Sequence, residues 1–491
     1  MTRVALAHVS AALQTAGLLH GSTGEPPVEI TGISDDSRSA ARGGLFVAVR
    51  GTALDGHDYL RAAADAGAAV AIVEDPSRST LPTLVVSDSR RAASIAAAAY
   101  YNDPARTLTT IAVTGTNGKT TTVALLRHLF DEPGAHAASI GTLGVRVGSE
   151  GRTFEGGGGL TTPGPVELQR ALRALADSDV RTVAIEASSH ALHQHRLDAV
   201  KFNAVVFTSF TRDHLDYHET MEAYFAAKAR LVEQVSATGV AVVNADDRAW
   251  AALPRAHRTV TFGLGARADI RADDTLFASH GSSWTLIAPD GKHPVDLPLI
   301  GDFNVVNALG AAATAIALGR TGANVAARLK RSPQVPGRLE RIADSPVVLR
   351  DYAHTPDALE RAILAVKPFA ERGRVIVVFS CGGDRDPGKR PQMGAIAERL
   401  ADFVMLTSDN PRTEDPEHII DQIEAGMTRG LHERIEDRRA AIARVLEIAD
   451  PQHDLVLLAG KGHETYQIRG KVRHPFDEAD VVNRLLAERV R

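Results

Sequence analysis

Lys119 and Thr120 follow a glycine-bounded turn, Gly115-Thr116-Asn117-Gly118, and Thr121 comes directly after them. Glycines permit tight turns and close backbone approach, so free N–H groups can face an anion, and a lysine adds positive charge. A hydroxyl just after that lysine is placed to bind the Mg²⁺ that accompanies a nucleotide. The full phosphate-loop pattern asks for a glycine five residues before Gly118, where Val113 stands. This loop is a short variant, with Gly115 three positions ahead of Gly118. A carboxylate, Glu186, closes the apolar run 180–185, where such folds set a second Mg²⁺ anchor. His214 crowds with Asp213, Asp216 and His218 after another apolar run, 204–207, a set suited to a metal or a phosphate. Lys228, among Ala226, Ala227 and Ala229, reads as an ordinary lysine with its stem along apolar surface. An ATP site with two Mg²⁺-competent groups implies phosphoryl transfer to water, a hydroxyl or a carboxylate.

A second set of chemical residues lies downstream. Asp351 and His354, Arg385, then Asp409-Asn410-Pro411-Arg412, then Gly460 and Glu464 follow apolar runs at 347–349, 375–379, 403–406 and 455–458. Open α/β sheets bind ligands at the carboxyl ends of their strands, so four such ends point to one crevice. Arginine binds carboxylate bidentately and aspartate holds an ammonium, so Arg412 with Asp409 suits an amino-acid zwitterion. A carboxylate phosphorylated by ATP and then attacked by an amine becomes an amide, which is ligase chemistry. Asn304 and Asn307 stand three apart on one helical face, either reading a base or capping a helix start. Asp35-Asp36-Ser37-Arg38 is a polar turn, either a capped turn or part of a ligand site.

The elements that must position these groups read as α/β throughout. Residues 109–113 form a β-branched strand, and a helix opens at Thr120 with Val123, Leu126 and Phe130 at helical spacing. Strands are expected at 28–33, 45–49, 68–73, 84–86 and 240–243, and helices at 57–66, 90–101, 221–232, 355–366, 389–400, 417–425 and 438–448. The glycine run 156–159 is expected to be a flexible hairpin or loop. Pro104 and the Pro333–Arg338 stretch divide the chain into 1–103, 104–335 and 336–491. The expected fold is three α/β domains: a central parallel sheet of the P-loop ATPase type, a C-terminal Rossmann-like domain, and a small first domain.

Composition sets outer limits. With 491 residues, 44% hydrophobic and 23% charged, the chain can build several cores. A net charge of −5 argues against a mainly electrostatic nucleic-acid binder. Cys381 is the only cysteine, which excludes an intramolecular disulfide and a cysteine metal cluster and fits a reducing cytoplasm. No run approaches the length of a membrane span, so no membrane insertion is expected.

The motifs in their order resemble the Mur ligases of peptidoglycan precursor synthesis over nearly the whole chain. The resemblance rests on Gly115–Thr121, Thr161-Thr162-Pro163, Glu186-Ala-Ser-Ser-His190 and Arg212-Asp-His-Leu-Asp-Tyr-His218. It rests also on Asp351-Tyr-Ala-His-Thr-Pro356, Asp409-Asn-Pro-Arg412 and Gly460-Lys-Gly-His-Glu464. Within the family it is similar to the branch that adds the third amino acid to UDP-N-acetylmuramoyl-L-Ala-D-Glu. Ala187 and Ala191 depart from common family wording, and both are small. The resemblance implies domains for UDP-sugar, ATP and amino acid, in that order. It implies that Asp35, Ser37 and Thr52 hold the uridine end, and that Thr161, Thr162, Ser188, Gln194 and Arg196 hold the UDP-MurNAc-dipeptide. It implies that Gly115 to Thr121 hold the ATP phosphates, with Thr120 and Glu186 on one Mg²⁺. Lys228 would be carbamylated, turned from a cation into a carboxylate-like ligand that places a second Mg²⁺ with His214. Lys119, Glu186, His214 and Lys228 are thus the implied catalytic set. Asn304, Asn307, Arg338, Asp351 and His354 would lie near the nucleotide. Arg385, Asp409, Asn410, Pro411, Arg412, Gly460 and Glu464 would bind the incoming amino acid. Arginine at the fourth place of Asp409-Asn-Pro-Arg412 goes with meso-diaminopimelate in the family, because its far carboxylate pairs bidentately with a guanidinium. A cytoplasmic monomer is expected. The alternatives are the L-lysine-adding relative, a folylpolyglutamate-type ligase, and a non-catalytic nucleotide-binding scaffold.

Overall fold

The computed structural model describes residues 3–52, 54–155, 159–370 and 372–489. Positions 156–158 of the glycine run lie outside the described residues. The chain groups into two compact units. One holds the residues up to Arg271 with Leu309–Val325; the other holds Ala272–Ala308 with the residues from Ala326 on.

The first unit contains two main sheets and, among the described residues, a two-stranded pair of Val4–Ala5 with Glu29–Ile30. The smaller main sheet runs in the order Leu19–Thr23, Thr83–Val86, Val70–Val73, Leu45–Val47, Ile33–Ser34, parallel except for its first strand. Helices Leu6–Thr15 and Ser89–Tyr100 cover it, burying Val9, Leu13, Ala92 and Ala96 against Val47 and Ile72. The single strand expected at 28–33 is two short pieces. Ile30 pairs antiparallel with Val4, whereas Ile33 pairs parallel with Leu45, so the chain changes partners across Thr31-Gly32. The helix expected at 57–66 begins as a 3₁₀ turn, Gly56–Tyr59, capped by the Asp55 carboxylate on His57 N at 3.0 Å.

The larger sheet of this unit has Thr109–Thr114 at its centre. Val180–Glu186 lies parallel to it on one side and Phe202–Phe207 on the other. Val235–Asn244 and Thr259–Gly263 continue the parallel series. On the opposite side His136–Gly141 pairs parallel with Val180–Glu186 and leads into a hairpin with Gly144–Val147. The central strands are apolar on both faces because both are covered, as parallel sheets require. Leu168 and Leu172 of helix Pro165–Ala176 pack on Val183 and Ile185, in one core with Phe202, Val205 and Phe207. Register matters most here. Glu186 stands beside Val113, and Phe207 beside Thr114, so three strand ends meet at the glycine loop.

The second unit carries an antiparallel pair, Gly281–Ala288 with Gly291–Leu297, which sequence periodicity passed over. Of its hydrophobic side chains, Trp284, Leu286, Val295 and Leu297 are the fully buried ones, so the apolar signal is thin. Its main sheet has the order Glu340–Asp344, Val347–Asp351, Leu455–Ala459, Val375–Phe379, Phe403–Leu406, His432–Arg434. All neighbours are parallel except the first pair. Helices Pro356–Val366, Lys389–Leu400 and Pro416–Glu424 cover one face, and Arg438–Ile448 with Glu478–Arg489 the other. This is the doubly wound arrangement expected for the C-terminal part. Among the described residues no helix is long and apolar enough to cross a membrane.

Candidate active site

The glycine loop is held from beneath by the strand beside it. Thr116 N donates to Ser209 O at 2.6 Å, and Thr208 Oγ1 donates to Asn117 O at 2.6 Å. Thr116 Oγ1 donates to Thr211 O at 3.0 Å and lies 3.1 Å from the Tyr224 hydroxyl. Gly118, at φ 88°, turns the chain into helix Lys119–Phe130, whose first turn buries Thr120 and Thr121. Gly115 has φ 151°, and a Cβ there would stand 2.0 Å from Thr208 Oγ1. Gly115→Ala is therefore expected to cost at least about 2 kcal/mol through overpacking and backbone strain. Urea unfolding measures this; a loss under about 0.5 kcal/mol, the range of a neutral surface change, would show that the loop tolerates a side chain.

Glu186 sits under this loop, 1% exposed. Its Oε2 accepts from Thr120 Oγ1 and from Thr142 Oγ1, each at 3.1 Å, and its Oε1 accepts from Thr142 N at 2.9 Å. Thr142 Oγ1 lies 3.3 Å from Thr161 Oγ1. Thr162 Oγ1 donates to Glu186 O at 2.6 Å and accepts from Ser188 N at 3.0 Å. Thr161 is thus linked to the carboxylate through Thr142, and Thr162 and Ser188 are linked to the Glu186 backbone. One carboxylate and one hydroxyl oxygen fit Mg²⁺, which keeps several waters and takes few protein oxygens beside a nucleotide's phosphates. Among the described residues no group of three or more His, Cys, Asp or Glu makes a fuller metal cage.

Lys228 corrects the sequence expectation. It is no surface lysine; helix Met221–Ala229 buries it to 1% exposure. Its Nζ donates to Gly115 O at 2.7 Å and lies 4.6 Å from the Tyr224 ring centre. Lys119 Nζ donates to the same carbonyl at 2.9 Å, and to Thr116 O at 2.8 Å. Burial, then the charge of Lys119, holds the Lys228 amine well below its ordinary pKa, against a smaller opposing pull from Asp213. Two ammonium groups on one buried carbonyl repel each other, so Lys228 holds its proton more weakly than an ordinary lysine. His214 begins the short helix Leu215–His218 in left-handed backbone, φ 53°. Its ring meets that of His190 edge-on at 4.8 Å, and its Nε2 lies 3.3 Å from Asp213 Oδ2. Burial lowers its pKa; Asp213 opposes this, and Lys119 and Lys228 add to it.

Gln194 and Arg196 stand just past helix Ser189–His193. Arg196 donates to Gln194 Oε1 through Nε at 3.1 Å and Nη2 at 2.6 Å, and to Thr162 O through Nη1 at 2.8 Å. Asp35 is exposed, and its Oδ2 lies 3.5 Å from where a Cβ of Gly164 would stand. Ser37 opens the turn Ser37–Ser39, capped by Asp36. Thr52 is exposed in the turn closed by Gly51 N donating to Leu54 O at 2.8 Å.

In the second unit the expected strand-end residues converge. Asp409 is nearly buried, and a Cβ on Gly460, at φ 112°, would lie 2.6 Å from its Oδ2. Asn410 Nδ2 donates to Glu464 Oε2 at 2.7 Å, and Asn410 Oδ1 accepts from Ile468 N at 2.8 Å. Lys461, fully buried, donates to Glu464 Oε2 at 3.1 Å. Pro411 turns the chain into Arg412, at φ 52°, whose Nη1 donates to Gly383 O at 2.7 Å. Arg385 is exposed on the same loop; a Cβ on Gly382 would stand 2.9 Å from Arg412 Nη1 and 3.8 Å from Arg385 Cγ. Asp351 accepts from Leu339 N at 2.7 Å; burial, opposed by nearby Arg338, raises its pKa to about 6. The Arg338 guanidinium lies over the Tyr352 ring at 4.8 Å, and the His354 ring packs on Tyr352 at 4.7 Å. Asn304 and Asn307 share one face of helix Asp302–Ala317 and bond each other, Asn307 Nδ2 to Asn304 Oδ1 at 3.3 Å. Asn304 Nδ2 also donates to Ile300 O at 2.8 Å.

Sequence reasoning assigned no role to Thr142, Thr208, Tyr224 or Lys461. Thr208 had a signal, since it follows an apolar strand next to the loop strand, and Lys461 stands within the Gly460–Glu464 stretch; Thr142 and Tyr224 are recruited from distant positions.

The chain matches three family models: the Mur ligase family catalytic domain over residues 29–106, the Mur ligase middle domain over 113–315, and the Mur ligase glutamate ligase domain over 337–462. It is 43% identical to the UDP-N-acetylmuramoyl-L-alanyl-D-glutamate--2,6-diaminopimelate ligase of Geobacter metallireducens over 488 residues, covering 94% of each chain. The ligase of the same name from Synechococcus elongatus is 43% identical over 475 residues, again covering 94% of each. A solved structure of a ligase of that name superposes with a TM-score of 0.66 at 34% identity, covering 94% of this chain and 96% of that one.

Proposed function

The chain belongs to the Mur ligase family and has its three-domain α/β fold, and on that premise we propose its reaction. It joins meso-2,6-diaminopimelate to the D-Glu side-chain carboxylate of UDP-N-acetylmuramoyl-L-Ala-D-Glu at the expense of ATP, in peptidoglycan precursor synthesis. Residues 1–103 serve the UDP-sugar, 104–335 the ATP and 336–491 the amino acid. The enzyme works as a cytoplasmic monomer.

The observation that carries the substrate assignment is that Arg412 and Arg385 gather at the Gly382-Gly383 turn while Asp409 and Glu464 stand at the neighbouring strand ends. Arginine pairs bidentately with a carboxylate and acids hold an ammonium, so the cluster suits an amino acid with a second zwitterionic end. Lys119 and the N–H groups of Gly115 to Thr121 hold the ATP phosphates. Thr161, Thr162, Ser188, Gln194 and Arg196 orient the dipeptide end, and Asp35, Ser37 and Thr52 the uridine end. Asn304, Asn307, Arg338, Asp351 and His354 serve the nucleotide. The γ-phosphoryl passes to the carboxylate oxygen as its bond to ADP breaks. The amine on the L-centre of diaminopimelate then attacks the carbonyl carbon, and the tetrahedral adduct expels phosphate and a proton to leave the amide.

Thr120 with Glu186, and His214 with Lys228, would hold two Mg²⁺ ions, which supply charge stabilisation for the transferring phosphoryl group when bound. Lys228 meets that role as a carbamate. Its neutral amine adds to CO₂, the nitrogen lone pair forming the N–C bond as one C=O π pair moves to oxygen and a proton leaves. The lowered pKa and dry surroundings of Nζ support this, because only a neutral amine can attack.

Phosphate release with ATP and the UDP-MurNAc-dipeptide tests the function. Release is expected only when diaminopimelate is added, with kcat/KM for L-lysine lower by about 10³-fold or more, since a guanidinium built for a carboxylate is left unpaired by lysine's ammonium. Equal rates with lysine identify the lysine-adding reaction, and no release with either amine identifies a scaffold.

A further inference from the structure

We propose that the Tyr217 hydroxyl is a positioning group for the UDP-MurNAc-dipeptide, acting through Gln194 and Arg196. This rests on the assignment of those two residues to that substrate. Tyr217 lies on the turn Leu215–His218, directly after His214. Its oxygen accepts from Gln194 Nε2 at 3.0 Å and lies 2.9 Å from His193 Nδ1. A phenol has one proton. With Gln194 as donor to the oxygen, the phenolic O–H donates to His193 Nδ1. Burial, then the charges of Arg90 and Arg230, lowers the pKa of that ring, which favours the form with a bare nitrogen to accept.

This relay and Arg196 together fix the carboxamide's orientation. An amide's two ends are nearly equal in shape, so packing alone does not choose between them. Here the donor-only guanidinium of Arg196 takes the Oε1 end and the Tyr217 oxygen takes the NH₂ end, so each end of the amide is held. Oε1 then accepts both Nε and Nη2 of the guanidinium, at 3.1 and 2.6 Å. Flipped, the amide would set N–H against N–H. Arg196 Nη1 continues the chain to Thr162 O at 2.8 Å, and Thr162 Oγ1 reaches Glu186 O at 2.6 Å. A continuous run of hydrogen bonds therefore connects the His214 turn with the dipeptide-binding segment and the backbone of the buried carboxylate. Tyr217 is its entry point, and the ring is braced against His190 at 4.1 Å, so losing the oxygen need not move the ring.

The test compares the full-length wild type with Tyr217→Phe, Gln194→Ala and the double variant. Titration calorimetry measures binding of the UDP-MurNAc-dipeptide and of ATP, and steady-state assays measure KM and kcat. Tyr217→Phe is expected to weaken dipeptide binding, and to raise its KM, by about tenfold, the size of one lost hydrogen bond with a stranded donor. ATP affinity and kcat should move less than twofold. In the Gln194→Ala background the same change should add less than twofold. Unchanged dipeptide affinity in Tyr217→Phe overturns the proposal, as does a tenfold loss that persists without Gln194. A parallel loss in ATP affinity and kcat also overturns it, since that marks general damage. Should the wild type bind the dipeptide yet form no amide, the reaction assignment fails while the calorimetric cycle still decides the role of Tyr217.

Discussion

Lys228→Ala is expected to lower kcat by about 10³-fold or more, with partial recovery when formate or acetate is added at tens of millimolar. The size follows from what the residue touches. Its amine lies 2.7 Å from the carbonyl of Gly115, the first glycine of the phosphate loop, in a pocket shared with Lys119 and Asp213. Electrostatic groups at such a place act in a low dielectric, and removing one commonly costs about 10²–10³ in rate. As the proposed carbamate, Lys228 would be an anion within the electrostatic reach of Lys119 and His214, and alanine would remove both the charge and the cation-binding oxygens. Rescue separates chemistry from architecture. Truncation leaves a space the size of the lost side chain, lined by Tyr224 and the loop, in which a one- or two-carbon carboxylate can sit in place of the proposed carbamate. A purely structural lysine, one that only ties Gly115 in place, is not restored by an anion. Wild-type activity should fall in CO₂-free buffer and return with bicarbonate. A variant within tenfold of wild type would remove the carbamate, and a lost activity that no carboxylate restores would reduce Lys228 to a tether for the loop.

Lys228 also shows where sequence stops being informative. The loop Gly115–Thr121 was legible because its chemistry is local: strand, glycine turn, lysine, hydroxyl and helix are consecutive. Glu186 was legible because a polar residue ending an apolar run marks a strand end, and the register beside Val113 places it at the loop. The four strand ends of the C-terminal sheet were legible for the same reason. Ala226-Ala227-Lys228-Ala229 has no such mark. Nothing in a run of alanines says which face of the helix is inside, so the resemblance implied a role for Lys228 and only the fold gave its burial. Tyr217 with Gln194, and Thr142 with Glu186, are 23 and 44 positions apart, and such pairs exist only once the sheet is assembled. The break at 31–32 was hidden for a different reason: an apolar stretch records burial, not a change of strand partner.

Arg412→Ala is expected to lower kcat/KM for diaminopimelate by about 10³-fold while changing that for L-lysine by less than about tenfold, so that discrimination collapses. A charge-assisted bidentate pair is among the strongest side-chain interactions, at about 1.5–3 kcal/mol for each bond to a charged group. The guanidinium is preorganised for it. Its Nη1 is fixed on Gly383 O, and its backbone is pinned by Arg412 N on Ile468 O at 3.1 Å and Gly470 N on Arg412 O at 2.6 Å. Those backbone bonds survive the substitution, and the left-handed φ of 52° strains alanine as it strains arginine, so the fold is not the variable. Arg412→Lys distinguishes charge from shape. It keeps the cation but cannot fork, so it should recover no more than a tenth of the lost kcat/KM. Two outcomes would sink the assignment: a diaminopimelate-to-lysine ratio unchanged in Arg412→Ala, or full recovery with lysine at 412. The first would move recognition of the far carboxylate to Arg385, and the second would make any positive charge sufficient. The expected asymmetry between the two substrates is the sharper test, because a residue that merely supported the loop would slow both alike.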